Sequence, residues 1–130
     1  MTHDECMRLT EGLRSPDKEK RAAAMEHLAG FGHEAVPILL PLLHDPDWKV
    51  RYRAAEALCM IQAPDTVGDL IRATADEKDH VRYMAAKGLR EFGTPDAVPA
   101  LSCLLSDENE YVKRMATAAL DTIKEKNSTW

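Results

Sequence analysis

The chain has 130 residues, of which 30% are charged and 5% are aromatic, and its formal net charge is −5. This length fits one domain with its own apolar core, and a composition of this kind favours packed helices over a β-sandwich or a disordered segment. The acidic balance argues against a general nucleic-acid or anionic-membrane binder, because both need a dominant basic field.

Four long helices are predicted from a leucine that recurs after 30, 31 and 31 residues. An alanine stands four residues before each leucine and a phenylalanine or isoleucine three residues after it, so the apolar residues share one stripe of a helix. A good N-cap residue stands thirteen residues before each leucine and predicts where each long helix begins. These predicted caps are Ser15, Asp45, Asp76 and Asp107.

A shorter apolar helix is predicted after each of the first three long helices, and one more before the first. In chain order the elements are a half repeat at 3–13, long–short pairs at 15–43, 45–74 and 76–105, and a final long helix at 107–125. We therefore predict one domain over residues 1–126 and a frayed tail at 127–130. No pair can bury its apolar face alone, so the pairs are expected to stack into an all-α, right-handed superhelical solenoid of about eight helices.

The repeats resemble a known family. Two segments, AVPILLPLLHDPDWKVRYRAAEALCMI and AVPALSCLLSDENEYVKRMATAALDTI, keep Ala-Val-Pro, the cap, a valine followed by a basic residue, the alanine and the leucine at constant spacing. In this they are similar to HEAT repeats of the short phycobilisome-lyase type. The family includes chromophore lyases, a di-iron deoxyhypusine hydroxylase, DNA-lesion binders and adaptor proteins, so the resemblance implies a fold and several functions.

An acid and a base six residues apart recur in successive copies. The pairs are Asp45 and Arg51, Asp76 and Arg82, and Asp107 and Lys113. A pair repeated along a stack favours a structural role over catalysis, and the resemblance implies a ladder of charged side chains that ties adjacent repeats together.

Metal binding is tested by the His-Glu dyads that follow the basic residue of the long helix in the hydroxylases of the family. The four corresponding positions hold Ala22-Ala23, Tyr52-Arg53, Tyr83-Met84 and Arg114-Met115. Since none of these is a dyad, we predict no metal, no cofactor and no catalytic residue.

The resemblance also implies that the shorter helices line the concave groove. Their outward positions hold mixed and partly apolar side chains, which favour a protein or peptide partner over nucleic acid. These candidate partner-binding residues are Arg8, Glu11, Ile38, Asp69, Arg72, Ala100 and Cys103. Cys103 is also weighed as a reactive thiol beside Arg72, although most solitary cysteines are inert.

Tyr52 and Tyr83 occupy equal positions on two long helices. They form either a recognition edge, since tyrosine is enriched at binding hot spots, or a cover for the repeat junction. The final long helix has no short helix after it, so its end near Met115 and Ala119 predicts weak self-association.

Two functions remain open. The first is a non-catalytic scaffold that binds a protein or peptide in its concave groove, and the second is a subunit of a phycobilin-type chromophore lyase that assists tetrapyrrole attachment. The second rests on the resemblance alone. Three separated cysteines and an N-terminus without a signal-peptide core or membrane-spanning run predict a cytoplasmic protein.

Overall fold

The computed structural model describes residues 1–128 as a stack of eight α-helices. They are α1 (His3–Leu13), α2 (Lys18–Gly30), α3 (Val36–Leu42), α4 (Trp48–Ile61), α5 (Val67–Ala73), α6 (Asp79–Phe92), α7 (Val98–Cys103) and α8 (Glu110–Lys126). No β-strand occurs within residues 1–128, so the predicted all-α solenoid is confirmed. In the segment predicted to fray, Asn127 caps α8, and the last two residues lie outside the described range.

Each long helix begins two residues later than its predicted cap requires. Asp17 caps α2, Asp47 caps α4 and Asn109 caps α8, each by accepting a hydrogen bond from the backbone N–H two residues ahead. Helix α6 begins after Lys78, whose side chain makes no capping bond. The prediction that Ser15, Asp45, Asp76 and Asp107 are the caps was therefore wrong.

The four residues predicted as caps hold the turn that precedes each cap. Asp45, for example, accepts from the backbone N–H of Asp47 at 3.0 Å, and Asp107 accepts from that of Asn109 at 2.9 Å. Aspartate forms this turn as readily as it caps a helix, which is why composition alone did not separate the two positions. The other carboxylate oxygen of Asp45 accepts from Arg14, and both carboxylate oxygens of Asp107 also accept from Arg82.

The core follows the repeated stripe. Leu28, Leu58 and Leu89 are fully buried, and the alanines four residues before them are buried as well. Helices α4 and α6 approach most closely at Gly88, where an added Cβ would overlap the Sγ of Cys59 and lie 3.3 Å from the Leu70 side chain. A side chain at this position would force the two long helices apart.

The long and short helices form two layers of different spacing. Each long helix packs directly on the next along the stack, whereas successive short helices touch little. Because the more closely spaced layer lies on the inside of a curved stack, we infer that the long helices line its inner face. The short helices were expected to line the groove, which differs from this arrangement. The periodicity of the sequence does not reveal how closely successive helices of each layer are spaced.

None of the helices within residues 1–128 combines the length and apolarity needed to cross a bilayer.

Candidate functional site

The acid and base pairs of the repeats meet across repeat boundaries. Arg51 reaches forward to Asp76 with two bonds, from Nε at 2.9 Å and from Nη2 at 3.1 Å, and its Nη1 donates to the carbonyl of Asp45 at 2.8 Å. Arg82 binds Asp107 in the same manner at 2.8 and 3.1 Å. Each arginine therefore joins the turn before its own helix to the turn of the next repeat.

The carboxylate of Asp107 stays ionised at neutral pH. Burial by itself would raise the pKa of Asp107, but the hydrogen bonds from Arg82 and from the backbone of Asn109 hold that pKa below its usual value. Lys113, which occupies the arginine position in the last long helix, pairs with Glu110 of its own helix at 2.7 Å. No repeat follows it within residues 1–128.

The ion pair at the first repeat boundary differs from the other two. Asp45 is bound by Arg14, which lowers the pKa of that carboxyl, whereas Arg21 donates only to the carbonyl of Ser15 at 2.8 Å. Arg21 precedes the aspartate of the next copy by 24 residues instead of the 25 that separate Arg51 from Asp76. The shorter first repeat thus leaves the guanidinium of Arg21 without a carboxylate partner in residues 1–128.

The amino-terminal halves of α4, α6 and α8 frame a cleft of about 410 Å³, named here the aromatic cleft. Its lining residues are Tyr52, Asp79, His80, Tyr83, Asn109, Tyr111 and Val112. The ring of Tyr111 is 70% exposed at the rim. A row of tyrosines on three neighbouring helices is therefore presented on the long-helix layer.

Asp79 fixes the polar wall of the aromatic cleft. Its Oδ1 lies 2.8 Å from Nδ1 of His80, and its Oδ2 accepts from the side-chain amide of Asn109 at 2.7 Å. These two contacts, that with His80 foremost, lower the pKa of Asp79. Both carboxylate oxygens are engaged within the protein, so this aspartate acts as a structural bridge between α6 and α8.

A second cleft of about 260 Å³, named here the basic cleft, adjoins the first between α2 and α4. Its lining residues are Lys18, Arg21, Trp48, Lys49, Tyr52, Arg53 and His80. Tyr52 and His80 belong to both clefts, and the ring centroids of Trp48 and His80 lie 4.8 Å apart. The aromatic side chains therefore form one continuous surface over the long helices.

Tyr52 forms the ridge between the two clefts. It is half-buried and packs on the core, and this burial, with the nearby charge of Glu56, raises the pKa of its phenol. The guanidinium of Arg53 lies 5.3 Å from the centre of its ring and pairs with Glu56 at 2.6 Å. Tyr52 is accordingly neutral at physiological pH and offers a ring face and a hydroxyl.

The seven candidates on the short helices line neither of these clefts. Arg8, Glu11, Arg72 and Cys103 are exposed, whereas Ile38, Asp69 and Ala100 are partly buried. Arg72 pairs with Asp69 one turn away at 2.8 Å. A binding role for this set stays a prediction.

The cysteines differ in their access to solvent. Cys59 is buried, and burial raises the pKa of its thiol to about 12, so this thiol is inert at neutral pH. Its Sγ donates to the carbonyl of Met84 at 3.4 Å. Cys103 is exposed, and no hydrogen bond joins it to Arg72. Within residues 1–128, no three His, Cys, Asp or Glu side chains cluster as metal ligands would.

The two residues named for the open end of the stack, Met115 and Ala119, are not exposed, and self-association at this end stays a prediction. Ala119 is fully buried, and Met115 packs partly against the core. The solvent-facing side of α8 carries polar residues such as Thr117, Asp121 and Lys124. A polar outer face of this kind is what a terminal repeat needs for solubility.

HEAT repeats are found in the sequence over residues 7–82 and 36–121. The chain belongs to the HEAT-repeat family. None of the curated proteins is significantly similar to this HEAT-repeat chain in sequence.

Solved structures with the same fold include the complex of CpcE and CpcF of phycocyanin lyase from a Nostoc species. The match has a TM-score of 0.84 at 23% identity and covers 95% of this chain and 81% of the other. Human deoxyhypusine hydroxylase matches with a TM-score of 0.72 at 27% identity over 92% of this chain, which spans 43% of the hydroxylase. An engineered protein matches with a TM-score of 0.61 at 24% identity, covering 94% and 63% of the two chains. The predicted fold of HEAT-like repeats is thereby confirmed.

Proposed function

We propose that this HEAT-repeat protein is a non-catalytic scaffold that binds a protein partner on its long-helix face. The observation that carries the proposal is the continuous aromatic surface over the aromatic and basic clefts. Tyrosine, tryptophan and arginine are the residue types most enriched at binding hot spots, and here they lie together in two adjoining concavities. Tyr52 and Tyr83, two of the residues singled out in the sequence, belong to this surface.

The chemistry of the clefts supports binding over catalysis. The polar groups of the aromatic cleft, Asp79, His80 and Asn109, are hydrogen-bonded to one another, and neither cleft is lined by a serine, threonine or cysteine nucleophile. Enzymes that use covalent catalysis place such a nucleophile beside a base. The likeness to a phycocyanin lyase that occurs as a complex of CpcE and CpcF supports a partner that is itself a protein.

The experiment compares two matched pairs of substitutions in capture of a partner from lysate of the native host. Tyr83→Ser with Tyr111→Ser removes rings from the aromatic cleft, and Val98→Ser with Leu105→Ser removes exposed apolar area from α7 and the turn after it. We expect the tyrosine pair to weaken capture by roughly tenfold or more, as truncation of hot-spot residues does, and the control pair to leave it intact. Circular dichroism verifies that both variants are folded.

The short-helix candidates enter the same assay as Ile38→Asp and Arg72→Glu. Loss of capture with these variants alone would transfer the binding site to the short helices and overturn the assignment to the clefts. If the tyrosine pair, Ile38→Asp and Arg72→Glu all leave capture intact, the scaffold proposal is refuted for both the long-helix and the short-helix face.

The second candidate function is a subunit of a chromophore lyase that assists tetrapyrrole attachment. The structural likeness to CpcE and CpcF favours it, and the aromatic cleft supplies flat ring faces for a planar ligand. Mixing the purified protein with phycocyanobilin should then shift the absorption spectrum of the bilin, and Tyr83→Ser should reduce the shift. An unchanged spectrum across a panel of bilins would eliminate this function.

We also infer a cytoplasmic location and a monomeric state for the free protein. The three cysteines, Cys6, Cys59 and Cys103, are all unpaired, as expected where thiols stay reduced. The polar outer face of α8 argues against self-association at that end. Light scattering at two protein concentrations tests the second point, since a mass that rises with concentration would contradict it.

A further inference from the structure

We propose that the basic cleft recognises an acidic segment of the partner protein, whose carboxylates pair with Lys18, Arg21 and Lys49. This inference rests on the scaffold function proposed above and specifies the chemistry of the partner. It concerns the cleft between α2 and α4, whereas the scaffold proposal is tested at residues of the aromatic cleft that lie outside it.

The charge of the cleft is unbalanced. Four of its lining residues are cationic and none is a carboxylate, although the whole chain carries a net charge of −5. Within residues 1–128, no acidic side chain lies within 4 Å of the charged nitrogens of Lys18, Arg21 or Lys49, whereas Arg53 is already paired with Glu56. Three unpaired cations therefore converge on one concavity of an otherwise acidic protein.

The repeat register explains why Arg21 is available. The equivalent residues Arg51 and Arg82 each spend two donors on an aspartate of the next repeat. Asp45, the corresponding acceptor for Arg21, is occupied by Arg14. A residue type that is structural in two repeats is thus exposed to an external carboxylate in the first, and a guanidinium can hold such a carboxylate with two parallel bonds.

The walls of the cleft favour a peptide over a small anion. The ring of Trp48 is near both His80, at a centroid distance of 4.8 Å, and the ammonium of Lys78, which is 4.5 Å from the ring centre. Tyr52 adds a second ring face beside Arg53. Apolar faces beside unpaired cations fit a segment in which acidic side chains flank an apolar one, because the apolar side chain shields the ion pairs from water.

The same distribution disfavours a nucleic acid. A phosphate backbone needs a basic track that follows it over several phosphates. The basic cleft ends at His80, and the residues that line the adjoining aromatic cleft include Asp79 but no lysine or arginine. A short acidic segment fits within the basic region, whereas an extended polyanion would continue into a cleft without further cations.

The experiment measures fluorescence anisotropy of a fluorescein-labelled peptide of sequence Glu-Glu-Leu-Glu-Glu mixed with the full chain. We expect binding that weakens as salt is raised, and a loss of about tenfold in affinity for the double variant Lys18→Glu with Lys49→Glu, because charge reversal at a complementary interface turns attraction into repulsion. The matched control is Lys87→Glu with Lys124→Glu, which makes the same change in net charge at exposed lysines outside the cleft. The control should bind the peptide within about twofold of the original protein, since distant exposed charges are screened.

Four results would overturn the inference. They are equal binding of Gln-Gln-Leu-Gln-Gln, an equal loss in the control variant, complete displacement of the peptide by inorganic phosphate at the same concentration, and tighter binding of a single-stranded oligonucleotide. The scaffold proposal is judged separately. If the tyrosine pair abolishes partner capture while Lys18→Glu with Lys49→Glu leaves it intact, the scaffold stands and the acidic partner is refuted.

Discussion

Two junctions of the stack, α4–α6 and α2–α4, are built from the same repeat and have different properties. At α4–α6, Arg51 is only 9% exposed, binds Asp76 with two bonds, and Gly88 lets the helices meet at Cys59. At α2–α4, the equivalent Arg21 has no carboxylate partner among residues 1–128, and the surface above the junction opens into the basic cleft.

The difference shows how a one-residue change in repeat length converts a structural side chain into a surface charge. The first repeat is 30 residues long and the next two are 31. In the repeats of 31 residues, the arginine binds the aspartate of the next repeat and holds the two repeats together. In the first repeat, Arg14 at the end of α1 binds that aspartate instead, and Arg21 has no carboxylate partner within residues 1–128. We therefore expect the central junction to contribute more stability than the first.

The largest expected effect comes from breaking the central rung. Arg51→Ala leaves the nearly buried side chain of Asp76 without its partner, so we expect a loss of about 3 kcal/mol in the free energy of unfolding, at the lower end for a broken buried pair. Arg21→Ala removes one hydrogen bond to a carbonyl and should cost about 1 kcal/mol or less. Urea denaturation measures both. Equal losses would show that the two junctions do not differ in this way.

The second expected effect concerns the close approach of α4 and α6. Gly88→Ala places a methyl group on the buried sulfur of Cys59, and overpacking of this kind costs about 2 kcal/mol. Gly30, in α2, has no atom within 4 Å of an added Cβ, so Gly30→Ala should be neutral or should stabilise the helix by about 0.5 kcal/mol.

A double variant identifies the cause of the loss at Gly88. Replacing Cys59 by alanine in the Gly88→Ala background removes the overlapping sulfur and should recover part of the lost stability, although each single change is destabilising. A double variant whose loss equals the sum of the two single losses would contradict the proposed overlap.

The solenoid could be predicted from the sequence because its signal is repeated. The leucine, alanine and isoleucine stripe identifies each long helix independently of the others, so small local errors do not alter the architecture. The helix starts were less accurate because Asp45 and Asp47 are equally good capping residues, and only the geometry shows that the second one caps α4. The same ambiguity recurs at Asp107 and Asn109.

The candidate site was only partly predictable. Equal positions on the long helices pointed to Tyr52 and Tyr83, but the partnership with His80 was missed. A signal was present, since His80 occupies the repeat position that Lys49 holds in one neighbouring copy and Tyr111 in the next. Which layer faces inward, and whether Arg21 is paired, depend on distances between repeats, and periodicity within a repeat does not contain them.

The smallest expected effect is the loss of stability in acid that arises from two ion pairs, Asp45 with Arg14 and Asp107 with Arg82. The folded-state pKa values of Asp45 and Asp107 lie below the ordinary value of about 3.9 that an unfolded chain would show. Each carboxylate thus contributes stability that is fully present above about pH 4 and is lost as the pH falls through its folded-state pKa. We expect Asp107→Asn to reduce stability at neutral pH, where the ion pair with Arg82 is lost, and to make stability fall less steeply below pH 4.

Asp45→Asn should also make stability fall less steeply in acid. This effect should be smaller in high salt, because Arg14 is far more exposed than Arg82 and its ion pair is already screened there. Urea denaturation from pH 7 to pH 2 at two salt concentrations measures both effects. If stability falls equally steeply with pH in Asp107→Asn and in the unchanged protein, the ion pair of Asp107 does not contribute to the acid dependence.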